Sequence, residues 1–312
     1  MDNQLTTIGS ATRDIFLIPK KVDIIDNKKD LTRQKLMAFE YGAKETVDYL
    51  SIHTGGTAVN VAVGLARQGI KTAANCAVGN DESGQSVLDT LKKEGVATSL
   101  VAISQHSKTD RSLIILDKKT GERTVFINKS ASRHLTVDCS SIESESIFLS
   151  SLKYNWEKKF KVLEKCVVAS HKRLFFTPGT AQIKAGTEKL ADFLRQVEVI
   201  FLNEDEALEF TRQKTKVEIK EMMKDIYSYG PKVVVITAGE KGVYVYSDHT
   251  FFHTPSEKIK IKDATGAGDA FTSGFLATYL RGGSLKVAVK NGIRNSVSVI
   301  THLGTLEGLL KK

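Results

Sequence analysis

Apolar runs of strand length recur along the chain at Gln4 to Ile8, Thr72 to Val78, Leu174 to Thr177, Val197 to Leu202 and Lys232 to Thr237. Between them, apolar positions fall at helical spacing over Ala58 to Gln68, Gly84 to Glu94, Ala185 to Leu194, Glu204 to Arg212, Val217 to Tyr229 and Ala270 to Leu280. Short, continuously apolar strands have no polar face to offer water, so both faces must be covered. In alternation with amphipathic helices they predict an α/β chain with a mainly parallel sheet. Two segments, 13–52 and 109–135, break this rhythm. Both alternate apolar and polar residues with period two, as sheets wet on one side do. The second contains DRSLIILDKKTGERTVFIN, which reads as a hairpin turning at Lys118 to Gly121. The two segments are expected to pair into a small sheet, giving one domain over 1–312 with a discontinuous β-sheet lid.

The 312 residues, 41% hydrophobic and 26% charged, suffice for a buried core and exclude a disordered or collagen-like chain. No stretch approaches the roughly 18 to 20 apolar residues of a spanning helix, and MDNQLTTIGSATRD has no basic-then-apolar signal pattern. No membrane association is therefore expected. Cys76, Cys139 and Cys166 are odd in number and lack CxxC spacing, so they are expected to be unpaired and buried in a cytoplasmic protein. Lys+Arg 45 against Asp+Glu 36 gives +9, which favours anionic partners. The lysines are dispersed, with the densest runs at Lys28-Lys29, Lys158-Lys159 and Lys311-Lys312. Nucleotides therefore fit better than nucleic acid, which wants a concentrated basic stripe.

The stretch Lys262-Asp263-Ala264-Thr265-Gly266-Ala267-Gly268-Asp269-Ala270-Phe271 puts small residues in a turn that runs straight into a helix. Unpaired N–H groups at such a start attract negative charge, so Gly266, Ala267 and Gly268 form a candidate anion hole. Asp269 beside that hole repels a phosphate unless it accepts the proton of an attacking hydroxyl; otherwise it simply caps the helix. A dinucleotide fingerprint fails because Phe271 stands where a third glycine belongs. The near-Walker run from Gly64 to Thr72 fails too, since Gly64 lies inside a helical pattern and Gly69 suits that helix's end. A second glycine turn, Gly55-Gly56, opens the helix carrying Asn60, the one strongly polar residue between Ala58 and Leu65. Asn60 either meets a ligand or satisfies buried backbone. Asp14 stands at the carboxyl edge of the first strand, where open α/β sheets bind ligands, and a carboxylate there suits a polyol. His249 and His253 fall in a β-like stretch that does not align them as metal ligands, and Trp156 reads as packing.

These residues, in this order, resemble the ribokinase-like (phosphofructokinase B) family of sugar and nucleoside kinases. GGTAVNVAVGLARQG is similar to its first signature and DATGAGDAFTSGFLATYL to its second. Asn203-Glu204-Asp205-Glu206 is similar to its NxxE motif, and Thr237 to Gly242 to its TxGxxG segment. The resemblance implies a three-layer α/β/α sandwich, cytoplasmic, that moves the γ-phosphate of ATP onto a primary hydroxyl of a small carbohydrate, with Asp269 as base. A nucleoside acceptor, its base stacked on Phe39 or Tyr41, is the alternative; a non-catalytic nucleotide- or nucleic-acid-binding relative is a more distant one. By the same resemblance, Asp14, Gly55, Gly56, Asn60 and Asp263 hold the acceptor, and Asn203, Thr237, Gly239, Gly242 and Asn295 the nucleotide. Asn203 and Glu206 orient Mg²⁺ through water, Asp263 and Thr265 correspond to a monovalent cation site, commonly K⁺, and the lids pair into a homodimer. Ala264 stands where the family often has threonine. Arg13, Arg111 and Lys129 are candidates for a phosphate on the acceptor.

Overall fold

The computed structural model describes residues 3–27, 35–213, 217–257 and 259–312. Lys28-Lys29 and the rest of 28–34, in the first alternating segment, lie outside them. The chain opens with β1 (Leu5–Ile8) and β2 (Thr12–Pro19), then β3 (Asp23–Asp26), β4 (Lys35–Ala38) and β5 (Val47–Gly55). Next come α1 (Thr57–Arg67), β6 (Thr72–Asn75), β7 (Ala77–Gly79), α2 (Glu82–Lys93), β8 (Ala102–Ser104), β9 (Asp110–Leu116) and β10 (Arg123–Asn128). The second half contains β11 (Ser146–Leu149), α3 (Trp156–Ser170), β12 (Arg173–Phe176), α4 (Thr180–Lys189), α5 (Ala191–Leu194), β13 (Val197–Asn203), α6 (Glu204–Phe210), α7 (Ile219–Ser228) and β14 (Val233–Thr237). It ends with β15 (Val243–Ser247), β16 (Thr250–Thr254), α8 (Ala267–Tyr279) and α9 (Leu285–Ile300).

Eight strands form the main sheet in the order β16-β15-β14-β13-β12-β11-β1-β6, parallel except at the β14-β15-β16 edge. Alternate strand residues point to opposite layers. Phe148, Phe175, Phe201 and Val235 pack with α1, α8 and α9. Leu149, Leu174, Phe176, Ile200 and Ile236 pack with α3, α4, α6 and α7. This is the three-layer sandwich expected of strands apolar on both faces. The parallel strands end together at Ile8, Leu149, Phe176, Asn203 and Thr237, and this carboxyl edge carries the loops that build the site.

The two alternating segments pair as expected. β2 and β5 from the first and β9 and β10 from the second form a four-stranded sheet in the order β10-β9-β2-β5. The hairpin turns where the alternation stops, with Gly121 N–H donating to Asp117 O at 2.8 Å. Elsewhere the structure corrects the pattern. The run from Thr72 splits at Cys76 into β6, in the main sheet, and β7, which pairs with β8 instead. The helix expected from Ala185 begins at Thr180 and breaks at Gly186, whose φ is +80°. β11 is only four residues long and α3 carries four lysines, so neither gave a usable pattern.

The cysteine expectation is overturned. Cys139 and Cys166 form a disulfide between a 3₁₀ turn and α3, their Cα atoms 5.5 Å apart, and Cys76 alone is free and buried. Pairing across 27 residues depends on the fold bringing two Cβ atoms together, which spacing along the chain does not reveal. With it goes the argument from cysteine usage to a reducing cytoplasm. Among the described residues no helix is long and apolar enough to cross a membrane.

Candidate active site

Helix α8 starts where Gly266 adopts φ +79°, a left-handed turn that glycine makes without penalty. Its first full intrahelical bond runs from Ala270 N–H to Gly266 O at 2.8 Å, so the amides of Gly268 and Asp269 open the helix. A Cβ on Gly268 would meet nothing within 4 Å, so the space in front of these amides is clear.

Asp269, in the first turn, is partly buried and held from α1. Asn60 Nδ2 donates to Asp269 Oδ2 at 2.7 Å, and Thr305 Oγ1 donates to Asn60 Oδ1 at 2.9 Å. The Thr57 hydroxyl adds a further hydrogen bond. Burial pushes the Asp269 carboxyl up to about 6, helped by the nearby Asp14 carboxylate and opposed by Asn60, Thr57 and the Arg123 guanidinium. Asn60 is thus part of the support of Asp269, its amide engaged on both sides, rather than a free acceptor ligand.

Asp14 is buried, takes a hydrogen bond from Thr12 Oγ1 at 2.8 Å, and is also raised by burial. Its Oδ2 occupies the space a side chain on Gly55 would need, and Gly56 turns at φ +96° against the Ser10 carbonyl. The first glycine pair therefore lets Asp14 and the start of α1 approach. His53 is on the same face of the small sheet as Asp14, its cross-strand partner.

Beyond α8 a cleft of about 210 Å³ is lined by Thr237, Gly239, Gly242, Ala264, Ala267 and Gly268, among others, with Ile293, Ser296, Val297 and Ile300 of α9 along one wall. The structure thus brings three of the nucleotide candidates to the start of α8. Asn295 is not among them. Fully buried, it donates to Ala270 O at 2.7 Å and Ser273 Oγ at 3.1 Å and accepts from Leu310 N–H at 2.8 Å, which ties α8, α9 and the chain end together. Sequence reasoning took a polar residue in the right helix for a ligand, when α9 turns its apolar side to the cleft.

Asn203 and Glu206 form a reciprocal cap at the start of α6. Asn203 Oδ1 accepts from Glu206 N–H at 2.8 Å and Glu206 Oε2 from Asn203 N–H at 2.9 Å. The Asn203 oxygen is spent on the helix rather than on the cleft. Burial raises the Glu206 carboxyl, and Asp269, Asp205 and Glu209 raise it further. Asp263, fully buried, accepts from Thr265 N–H at 2.8 Å and Gly304 N–H at 3.1 Å, so it joins two loops instead of reaching toward an acceptor. Thr265 Oγ1 beside it is buried with no hydrogen-bond partner among the described residues.

Arg13 and Arg111 pair with each other across β2 and β9, on the opposite face of the small sheet from Asp14, and bond Thr54 and Ser83 there. Phe39 and Tyr41 are exposed, Tyr41 fully. Arg123 was missed. It follows the hairpin turn on the face of the sheet that carries Asp14, and the turn docks on the loop at Ile261 while Glu122 lines the cleft. Its side follows from the register, which sets Arg123 opposite Leu116 on the face of Ser112 and Asp14 and which alternation along the chain alone does not give.

The family described as "pfkB family carbohydrate kinase" matches residues 19–312. A cytidine kinase of Thermococcus kodakarensis is 42% identical over 118 residues, covering 37% of this chain and 41% of that one. An uncharacterized sugar kinase of Archaeoglobus fulgidus is 25% identical over 251 residues, covering 79% and 98%. The solved structure of an Arabidopsis thaliana ribokinase complexed with ribose and ATP superposes at a TM-score of 0.80 with 18% identity, covering 100% of this chain and 96% of that one.

Proposed function

The chain belongs to the pfkB family of carbohydrate kinases, an ATP-dependent phosphotransferase with an alcohol as acceptor, and from that membership we propose that it phosphorylates a primary hydroxyl of a small carbohydrate with Asp269 as general base. The observation that carries this is the placement of the Asp269 carboxylate, held by Asn60 and raised to about 6, beside the open amides of Gly268 and Asp269. Phosphoryl transfer asks the protein mainly for alignment and for neutralisation of spreading charge. The amides at the start of α8 receive the terminal phosphate, and Asp269 takes the proton of the attacking hydroxyl. Thr237, Gly239, Gly242 and α9 hold the nucleotide; Asp14 receives two acceptor hydroxyls where Gly55 leaves it room. The small sheet acts as a lid, with the turn before Arg123 closing on the phosphates to exclude competing water. ADP release measured over ribose, fructose, fructose 6-phosphate, gluconate, adenosine and cytidine tests the reading: turnover on a carbohydrate supports it, turnover on nucleosides alone moves the assignment to a nucleoside kinase, and no ATP-dependent turnover on any acceptor defeats it.

Two cations fit the residues present. Burial raises the Glu206 carboxyl and the nearby Asp269 raises it further, an excess of negative charge that Mg²⁺ offsets, held by Glu206 mainly through water. Bound there it supplies positive charge to the phosphates. The orphaned Thr265 hydroxyl beside Asp263 is the kind of oxygen pair a monovalent cation completes. Potassium chloride is therefore expected to raise the melting temperature more than equimolar choline chloride, and Thr265→Val to abolish that difference; equal melts in both salts would remove the site.

The outer face of the small sheet exposes Leu50, Ile52, Leu113 and Phe126, which neighbour one another through the pairings Leu17–Leu50, Ile15–Ile52, Ile15–Leu113 and Leu113–Phe126. A contiguous apolar face of this kind favours a homodimer through the lid. Sedimentation at micromolar concentration is expected to give twice the chain mass, and Phe126→Asp the single mass; a monomeric wild type removes the dimer.

A further inference from the structure

We propose that the acceptor carries a negative charge at the end remote from the hydroxyl that is phosphorylated, and that Lys129 together with Lys153 receives it. This deepens the kinase reading and rests on it. Of the three cations that the sequence offered for such a charge, two are removed by the register. Arg13 faces Arg111 and Thr54, whereas Asp14 faces Ser112 and His53, so both arginines stand on the side of the small sheet away from Asp14.

On Asp14's own face the next pair toward the main sheet is Thr12 with Asp110. Asp110 is fully buried, and its Oδ1 accepts from Ser130 N–H at 2.7 Å and Ser132 N–H at 3.1 Å, which fixes the chain immediately after Lys129. The Lys129 carbonyl in turn accepts from Tyr154 Oη at 3.1 Å, and the Lys153 ammonium stands 5.6 Å from the centroid of the Tyr154 ring. Lys153 follows the end of β11, where Ser150 N–H bonds Ile8 O at the end of β1. The two lysines therefore occupy the β11–β1 side of the carboxyl edge, two to three strands from the β13–β14 side that borders the nucleotide cleft. They are placed at the far end of an acceptor whose reacting hydroxyl points to Asp269.

The charges there do not balance. Neither lysine makes an ion pair with a carboxylate among the described residues, and the second oxygen of Asp110 is buried without a hydrogen-bond partner. Burial depresses the Lys129 ammonium, Asp110 opposes that, and Lys153 adds like-charge repulsion. The Arg133 guanidinium stands 5.4 Å from the centroid of the same Tyr154 ring, so one carboxylate beside three cations leaves net positive charge, least screened at the half-buried Lys129 and more exposed at Lys153 and Arg133. A neutral polyol leaves that repulsion in place. A carboxylate or a phosphate ester offsets it and takes charge-assisted hydrogen bonds from both amines.

The test compares acceptors matched in skeleton: fructose with fructose 6-phosphate, and glucose with gluconate, by ADP release at saturating ATP. One charged member is expected to exceed its neutral counterpart in kcat/KM by about tenfold or more, as a charge-assisted pair implies; which pair shows the gain tells a phosphate from a carboxylate. Lys129→Met and Lys153→Met are each expected to raise KM for that acceptor about tenfold with kcat within about threefold and KM for ATP unchanged. Lys129→Arg recovers most of the loss, and melting curves of all three variants confirm folding. Neutral acceptors turned over as well as charged ones, or Met variants that weaken neutral and charged acceptors alike, overturn the proposal and leave the kinase reading standing. Absence of turnover on every acceptor overturns that reading first.

Discussion

Asp269→Asn is expected to lower kcat by about 10² to 10⁴-fold, the usual contribution of a general base, while leaving nucleotide affinity nearly unchanged and making the protein more stable. The two halves share one cause. Burial raises the carboxyl from 3.8 to about 6, so ionised Asp269 is the costly form in the folded chain. For an acid raised on folding, stability is complete below the unfolded value near 3.8, erodes as pH rises toward 6, and stays reduced above it. An isosteric amide keeps the Asn60 contact and removes the buried charge, returning on the order of 1–3 kcal/mol at pH 7. The base must also be ionised to work, so wild-type kcat/KM should fall about tenfold per pH unit below about 6. Turnover, ADP titration, thermal melts and the acid limb together check this. A variant that is inactive and also unstable would mean that Asp269 holds the fold, and an acid limb near pH 4 would mean that its carboxyl is not raised.

What could be read in the sequence divides along a physical line. Apart from the four-residue β11, the parallel strands were legible because burial on both faces forces uninterrupted apolar runs such as Val233 to Ile236, and the small sheet because one wet face forces alternation. The glycine turns were legible because their chemistry is local: φ +79° at Gly266 and +96° at Gly56 are demands that the residue type itself announces. Partner choice was not. Whether Asn295 reaches a nucleotide or joins two helices depends on the rotation of α9 against α8, and whether Cys139 finds Cys166 depends on where α3 lands. Asn203 likewise looks the same in sequence as cap or as ligand, and Asn60 the same as acceptor contact or as prop for Asp269. Arg13 was a different failure, since the period-two pattern already put it one residue out of phase with Asp14; the side of Arg111 came only with the register that pairs it with Arg13.

Gly268→Val is expected to cut kcat/KM for ATP by about 10² to 10³-fold, comparable to losing a preorganised donor at a developing charge, while the melting temperature stays within about 2 °C. The contrast between neighbouring glycines makes the result diagnostic. At Gly266 a side chain meets Thr305 at 2.9 Å and the backbone sits at φ +79°, so a substitution there damages folding and says little about chemistry. At Gly268 a Cβ meets no protein atom within 4 Å and no positive φ has to be accommodated, so the folded chain tolerates the new methyl groups. Valine is also no worse than glycine inside a helix. The methyl groups project into the open space beside the start of α8, next to the amides assigned to the terminal phosphate. Thermal melts with and without ADP, alongside steady-state rates, separate the outcomes. A folded Gly268→Val protein with normal ATP kinetics would show that the phosphate binds elsewhere and that the open start of α8 plays no part in transfer.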